Sequence, residues 1–409
     1  MREQQYTVIR NGTVLTPCEE IKDGIVVVEG SRILDVGQRG EIEEPADATF
    51  IDANGDRMYS SAYIVPGLID IHVHGSKGAD VMDSTPEALE TMSRFFVTRG
   101  VTAFVATMIT APEADLLAGL ENVRSVKRNG GLPGAEVLGV HQEGPFLNPA
   151  EKGCHPVELL VAPTPGRYEP YLEYADVLVS MTLAPELDGA VDLIRALRRV
   201  GAVAAAGHTN GVHHEIVPAI DAGLSHAVHF FCNMSTLRRA GPSHPQPLKR
   251  VAGAVETFLY DERVTTELIG DGWHVGDTLM KLVVKVKGVE RVCWVTDAMA
   301  AAGMPPGRYF IGGVEAIVEH GIARLPDNTA YASSVTTLDV CLRNGIERVG
   351  LSLRDSVRMA TLTPATIVGV HNRKGSLEAG KDADIVIMDA KSEVKLTMAR
   401  GRVLYQAEG

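Results

Sequence analysis

The stretch "LIDIHVHG", residues 68–75, is an apolar run that starts just after Pro66-Gly67 and ends on two histidines one residue apart. An extended strand sends residues i and i+2 to the same face, so His72 and His74 project together and can grip one ion. A hydrogen-bonded pair of core histidines is the plainer reading of any isolated His-x-His. The choice depends on whether other apolar runs end in the same way.

They do. Short apolar runs at 103–108, 137–140, 177–182, 202–206, 226–230, 266–269 and 292–295 each lead into a loop. A helical stretch usually follows, as in "PEALETMSRFFVTRG" (86–100), "GAVDLIRALRRVG" (189–201) and "TTLDVCLRNGIERVG" (336–350). With 68–73 these give about eight β/α units, which predicts an α/β fold built on a (β/α)8 TIM-like barrel. A doubly wound sheet is the alternative, but no G-x-G-x-x-G or phosphate-loop motif follows any run. The ends of the chain read differently. The first sixty residues are strand-like runs broken by Asn-Gly and Glu-Gly-Ser turns, and "GSLEAGKDADIVIMDA" and "VKLTMARGRVLYQ" near the C-terminus behave alike. We expect a small β-sandwich domain made of residues 1–64 and 370–409 around a barrel of residues 65–369.

In such a barrel, chemistry collects at the C-terminal strand ends. Those ends read "IHVH" (His72, His74), "VHQEGP" (His141, Glu143), "AAGHTN" (His208), "AVHFFCN" (His229), "IGDGWHV" (His274) and "WVTDAM" (Asp297). Imidazole and carboxylate together hold zinc and similar divalent ions while leaving room for water. Glu143, His208 and His229 are too far apart in sequence for a local finger, but barrel closure brings successive strands together. Asp297 ends a strongly apolar run, and an unpaired buried carboxylate is costly. Its functional reading is a general base facing metal-bound water.

The 409 residues, 45% hydrophobic and 22% charged, suit a globular protein with a full core. A formal net charge of −13 speaks against a nucleic acid or an anionic membrane as partner, but not against a small anionic ligand. The five cysteines (Cys18, Cys154, Cys232, Cys293 and Cys341) form no C-x-x-C pair. Together with an N-terminus that lacks a signal-peptide core, and with no apolar run of about 18 residues, this reads as a soluble cytoplasmic chain.

Seven stretches together carry a resemblance: "PGLIDIHVHG", "GVHQEGPFLNPAEKGCHP", "TLAPE", "AAGHTN", "DGWHV", "VTDAMAAAG" and "MATLTPATIVGV". The chain resembles the amidohydrolase superfamily, and within it the N-acetylglucosamine-6-phosphate deacetylases. The resemblance implies one or two divalent ions, zinc foremost, with iron, manganese or cobalt as alternatives. Glu143, His208 and His229 would ligate one ion, and His72 and His74 a second. Glu143 stands where many superfamily members carry a carboxylated lysine. Asp297 matches the acid/base aspartate, His155 a histidine that polarises the substrate, and His274 one that contacts the sugar. The implied reaction removes the N-acetyl group from a small amino sugar phosphate, foremost N-acetylglucosamine 6-phosphate to give glucosamine 6-phosphate and acetate, in a homodimer. N-acetylgalactosamine 6-phosphate, an unphosphorylated amino sugar and an N-acyl-D-amino acid stay open as substrates, and a barrel that binds without turnover is the non-catalytic rival. One region departs from the family. "HFFCNMS" puts Cys232 where the family has Asn, with Asn233 one place later, and "TLRRAGPSHPQP" replaces the family's Arg-Glu-Pro-Gly. Arg238, Arg239 and His244 are the candidate substitutes at the phosphate end.

Overall fold

The computed structural model describes residues 6–16, 19–55, 62–239 and 245–408; Cys18 and His244 lie outside the described residues. Eight strands form the central sheet: β1 (Leu68–Val73), β2 (Val101–Met108), β3 (Glu136–Glu143), β4 (Leu178–Leu183), β5 (Val203–Ala206), β6 (His226–Ala227), β7 (Thr265–Ile269) and β8 (Val292–Val295). Each pairs in parallel with the next in chain order. β8 returns to β1 through a parallel bridge between Val73 and Ala298, and the Asp297 backbone N–H donates to the His72 carbonyl at 2.8 Å. The Asp70 carboxylate fastens the same seam, accepting from Thr296 Oγ1 at 2.6 Å. The expected barrel is therefore present.

Its strands are apolar runs because both faces are covered. β1 and β2 are buried at every position, as parallel strands wrapped by helices must be. The helix Pro86–Val97 shows how the crossovers are set: Thr85 Oγ1 accepts from the Ala88 N–H, proline opens the first turn, and Leu89, Met92 and Phe96 face the core. β6 is shorter than the apolar run suggests. His229 has left the extended region, with φ of 25°, and ends the strand early.

The terminal strands form one mainly antiparallel eight-stranded sheet over its own core of Ile9, Val26, Ile64, Ile385 and Met398. Its members are Tyr6–Leu15, Glu20–Glu29, Arg32–Gln38, Thr49–Asp52, Tyr63–Pro66, Ile385–Met388, Val394–Ala399 and Arg402–Gln406. Only Gly67 separates this sheet from β1. A Cβ there would fall 2.1 Å from Thr102 Oγ1, so nothing larger fits.

A buried charge network joins the C-terminal segment to the barrel. Lys374, 1% exposed, reaches Asp384 at 2.6 Å and Glu136 and Asp382 at 2.9 Å, while Arg373 pairs with Glu136 at 2.7 Å. Burial alone would raise the Glu136 pKa, but hydrogen bonds from Arg373 and the charge of Lys374 bring it down to about 2. Because the folded pKa is depressed, the stability that Glu136 contributes is full above its ordinary value. It is lost as pH falls from about 4.5 toward about 2. Lys374→Met leaves buried carboxylates short of a partner and is expected to cost about 3–5 kcal/mol. The unfolding midpoint in urea reads this directly.

One element was not anticipated. After β8 the chain forms a three-stranded antiparallel sheet, Gly307–Ile311, Val314–Glu319 and Ile322–Arg324. It packs through Ile311, Ala316 and Val318 against Ile109 and Met299, beside the C-terminal ends of the barrel strands.

Candidate active site

The polar strand ends converge as the barrel rule requires. His72 and His74 come from β1 and its exit, Glu143 from the last position of β3, and His208, His229 and Asp297 each from two residues beyond β5, β6 and β8. All six are buried. His208, His229 and Asp297 hold left-handed backbone, with φ of 48°, 25° and 48°. Such strain in non-glycine residues costs on the order of 1–3 kcal/mol each and persists where the surroundings hold it.

Glu143 is the hub. Its Oε1 lies 2.9 Å from His229 Nε2 and 3.3 Å from His208 Nε2. Its Oε2 lies 3.5 Å from His74 Nε2 and 3.7 Å from His72 Nε2. Two groups thus gather ligand atoms within 4.8 Å of one another: His72, His74 and Glu143, and Glu143, His208 and His229. Burial alone would raise the Glu143 pKa. The charge of His72 and hydrogen bonds from His155, His208 and His229 hold it well below the usual carboxylate range instead.

The donor set fits a divalent ion. His208 Nδ1 sits 2.7 Å from the Glu151 carbonyl, which can only accept, so Nδ1 carries a proton and Nε2 is the nitrogen turned to Glu143. His72 Nε2 is buried without any hydrogen-bond partner among the described residues. Buried polar atoms are almost always satisfied, so an orphan aimed at a carboxylate and other imidazoles points to a ligand.

The pocket over this hub has a volume of about 290 Å³. His155, His274, Cys154, Cys232 and Asn233 line it, together with Ile311 and Tyr331 from the unanticipated sheet and the loop after it. Asp297 Oδ1 stands 3.1 Å from His74 Nε2 and accepts from Ser333 Oγ at 2.9 Å. His274 Nδ1 is anchored by Asp271 at 2.7 Å, and its ring lies 4.5 Å from that of Tyr331. Burial pushes the Cys154 thiol up to about 12, so it is no nucleophile at neutral pH. The close approach of Asn233 depends on Gly153, where a Cβ would fall 2.8 Å from Asn233 Nδ2.

The amidohydrolase family model matches residues 63–404. The chain belongs to the amidohydrolase family. Within it, the chain is 36% identical over 345 residues to the N-acetylglucosamine-6-phosphate deacetylase of Vibrio furnissii, covering 84% of this chain and 83% of that one. It is 35% identical over 341 residues to the N-acetylgalactosamine-6-phosphate deacetylase of Escherichia coli O157:H7, covering 83% and 87%. Among solved structures it resembles a mutant N-acetyl-D-glucosamine-6-phosphate deacetylase of Mycobacterium smegmatis in complex with N-acetyl-D-glucosamine-6-phosphate. There the TM-score is 0.87 and the identity 31%, over 98% of this chain and 99% of that one. Amidohydrolases are metal-dependent, and both His/Glu groups of this member are able to bind a metal.

Not every residue singled out from the sequence sits in this amidohydrolase pocket. Arg238 and Arg239 form a two-residue strand against Arg250–Val251 and do not line the pocket. The Arg238 guanidinium donates to the backbone carbonyl and side chain of Asn210, and Arg239 is exposed. His141 stays behind the hub, with Nε2 2.7 Å from Thr182 Oγ1, and burial with the charge of His72 lowers its pKa to about 3. It is a neutral core histidine. Three supporting residues escaped the sequence reading: Asp70, Glu267 and Thr110. Asp70 carried a signal, because it shares the i, i+2 face of His72 and His74. Glu267 carried another, as a carboxylate inside an apolar strand with no cation beside it in sequence.

Proposed function

We propose that this amidohydrolase is a metal-dependent deacetylase that converts N-acetylglucosamine 6-phosphate and water to glucosamine 6-phosphate and acetate. The observation that carries this reading is the meeting of Asp297 and His155 with the Glu143 hub in the lining of one pocket. A barrel that only binds sugar has no use for a base there.

Glu143, His208 and His229 would hold one divalent ion and His72, His74 and Glu143 a second; such an ion would lower the pKa of water from about 15.7 toward about 7. Burial alone would raise the Asp297 pKa, but the His72 charge and the His74 hydrogen bond bring it to about 2, so it stands as a carboxylate at neutral pH. It takes the proton as water attacks the acetyl carbonyl, and then hands it to the departing nitrogen, which leaves poorly unless protonated. His155 supplies a neutral donor. Its Nδ1 is held 2.8 Å from Thr110 Oγ1, and its Nε2 faces the hub, 3.6 Å from Glu143 Oε2. Burial and the charge of His208 lower the His155 pKa to about 4, so the ring stays neutral as it stabilises the developing oxyanion.

His274, Asn233 and Cys232 are assigned to the sugar. The phosphate end is assigned to the Asn233 side, with Arg238 and Arg239 as the cations nearest to it in sequence. The Arg238 guanidinium is engaged with Asn210. Zinc suits this His/carboxylate set, with iron, manganese and cobalt as alternatives. We further propose a homodimer, two domains divided at residues 1–64 with 370–409 and 65–369, and a cytoplasmic setting. That setting fits free Cys154, Cys232, Cys293 and Cys341, and no described helix is long and apolar enough to cross a membrane.

Acetate release over a small panel tests the substrate. Charge-assisted bonds to phosphate are worth about 1.5–3 kcal/mol each, so kcat/KM for N-acetylglucosamine 6-phosphate should exceed that for N-acetylglucosamine by at least about tenfold. Equal values would remove the phosphate from the reading. N-acetylgalactosamine 6-phosphate belongs in the panel, because the Escherichia coli relative named for it is nearly as similar as the Vibrio furnissii one. Turnover of an N-acyl-D-amino acid alone would replace the substrate class.

A further inference from the structure

We infer that Glu267 is a positioning residue shared by both candidate ion sites, holding one ligand of each from behind as Glu143 joins them in front. The inference depends on the metal reading above. Glu267 sits within β7, 2% exposed, and its ion-pair partners among the described residues are His72 and His226.

The bonding is one-directional. Glu267 Oε2 accepts from the His229 backbone N–H at 3.0 Å and lies 2.8 Å from His72 Nδ1. A carboxylate cannot donate, so His72 Nδ1 carries a proton and Nε2 is the nitrogen presented to the hub. That is the orphaned nitrogen, 3.7 Å from Glu143 and 3.6 Å from Asp297. Oε1 faces His226 Nε2 at 3.0 Å, and His226 Nδ1 meets Thr265 Oγ1 at 2.8 Å.

The same carboxylate has a second task. His229 holds φ of 25°, a conformation that persists in a non-glycine residue only where its surroundings fix it. The bond from its N–H to Glu267 is such a fixture. Removing the Glu267 charge therefore loosens His72, of the site with His74, and His229, of the site with His208. A carboxylate behind a ligating imidazole is worth roughly 10–100-fold in metal affinity.

Glu267→Gln isolates this effect. The glutamine oxygen can accept from His72 and His229, while its amide donates to His226 Nε2 and the His226 proton moves to Nδ1, toward Thr265. All partners stay satisfied and only the charge is lost. Chelator-competition titration of metal-free protein with zinc compares wild type, Glu267→Gln and the double variant His72→Ala with His74→Ala. We expect both zinc dissociation constants of Glu267→Gln to rise at least about tenfold, with the melting temperature of the metal-free protein little changed. The double variant should lose one zinc and keep the other. A wild-type titration curve for Glu267→Gln overturns the inference, and so does weakening confined to the His72 side. Wild-type protein that binds no zinc overturns the metal reading itself, and the inference falls with it. Should Glu267→Gln not fold, wild type loaded with cadmium-113 and nitrogen-15 histidine supplies the answer. Couplings at Nε2 of both His72 and His229, with a proton on His72 Nδ1, support the inference. Coupling at His72 Nδ1 overturns it.

Discussion

Asp297→Asn is expected to lower kcat by at least about two orders of magnitude, the scale on which general acid–base catalysis works. Asparagine keeps the shape and can still accept from Ser333 Oγ, which stands 2.9 Å from Oδ1. What it cannot do is take a proton from water and return it to nitrogen. Fold and metal content should therefore survive while turnover does not. Steady-state kinetics with metal analysis of the same sample reads both, and near-normal kcat in folded, metal-containing protein removes Asp297 from the mechanism.

Glu143→Gln should have the broader effect. Its carboxylate is the member common to both metal-capable groups, with Oε1 toward His208 and His229 and Oε2 toward His72 and His74. Replacing it withdraws a ligand from each site and the negative charge that four imidazoles share. The expected loss of metal affinity exceeds the roughly 10–100-fold that removal of an outer partner costs, and activity falls with it. Elemental analysis of purified variant checks this. Undiminished metal would mean that the two groups do not share Glu143.

The barrel was readable because parallel strands covered on both faces appear as unbroken apolar runs, and β1 and β2 are buried at every position. Its site was readable because the polar residue closing each run has nowhere to go but the mouth. The rest was hidden for physical reasons. Glu267 and Asp70 lie inside runs, where their partners His226, His229 and Thr296 come from other strands or the residues just after them and no local spacing announces them. The sheet of residues 307–324 is half-exposed, with intermediate and exposed positions alternating along Gly307–Ile311, so it lacks an apolar signature. Arg238 and Arg239 stand out by charge and by nearness in sequence to Asn233. Their direction is set by the pairing with Arg250–Val251 and by Asn210, which the loop composition does not encode.

Acetate release from N-acetylglucosamine 6-phosphate by metal-depleted protein, before and after a divalent ion is restored, tests the central claim most directly. We expect almost no release before restoration. Afterwards, acetate and glucosamine 6-phosphate should appear in equal amounts, at a rate that follows metal content. Undiminished release from metal-depleted protein, or none after full metal loading, would contradict metal-dependent deacetylation at the Glu143 hub.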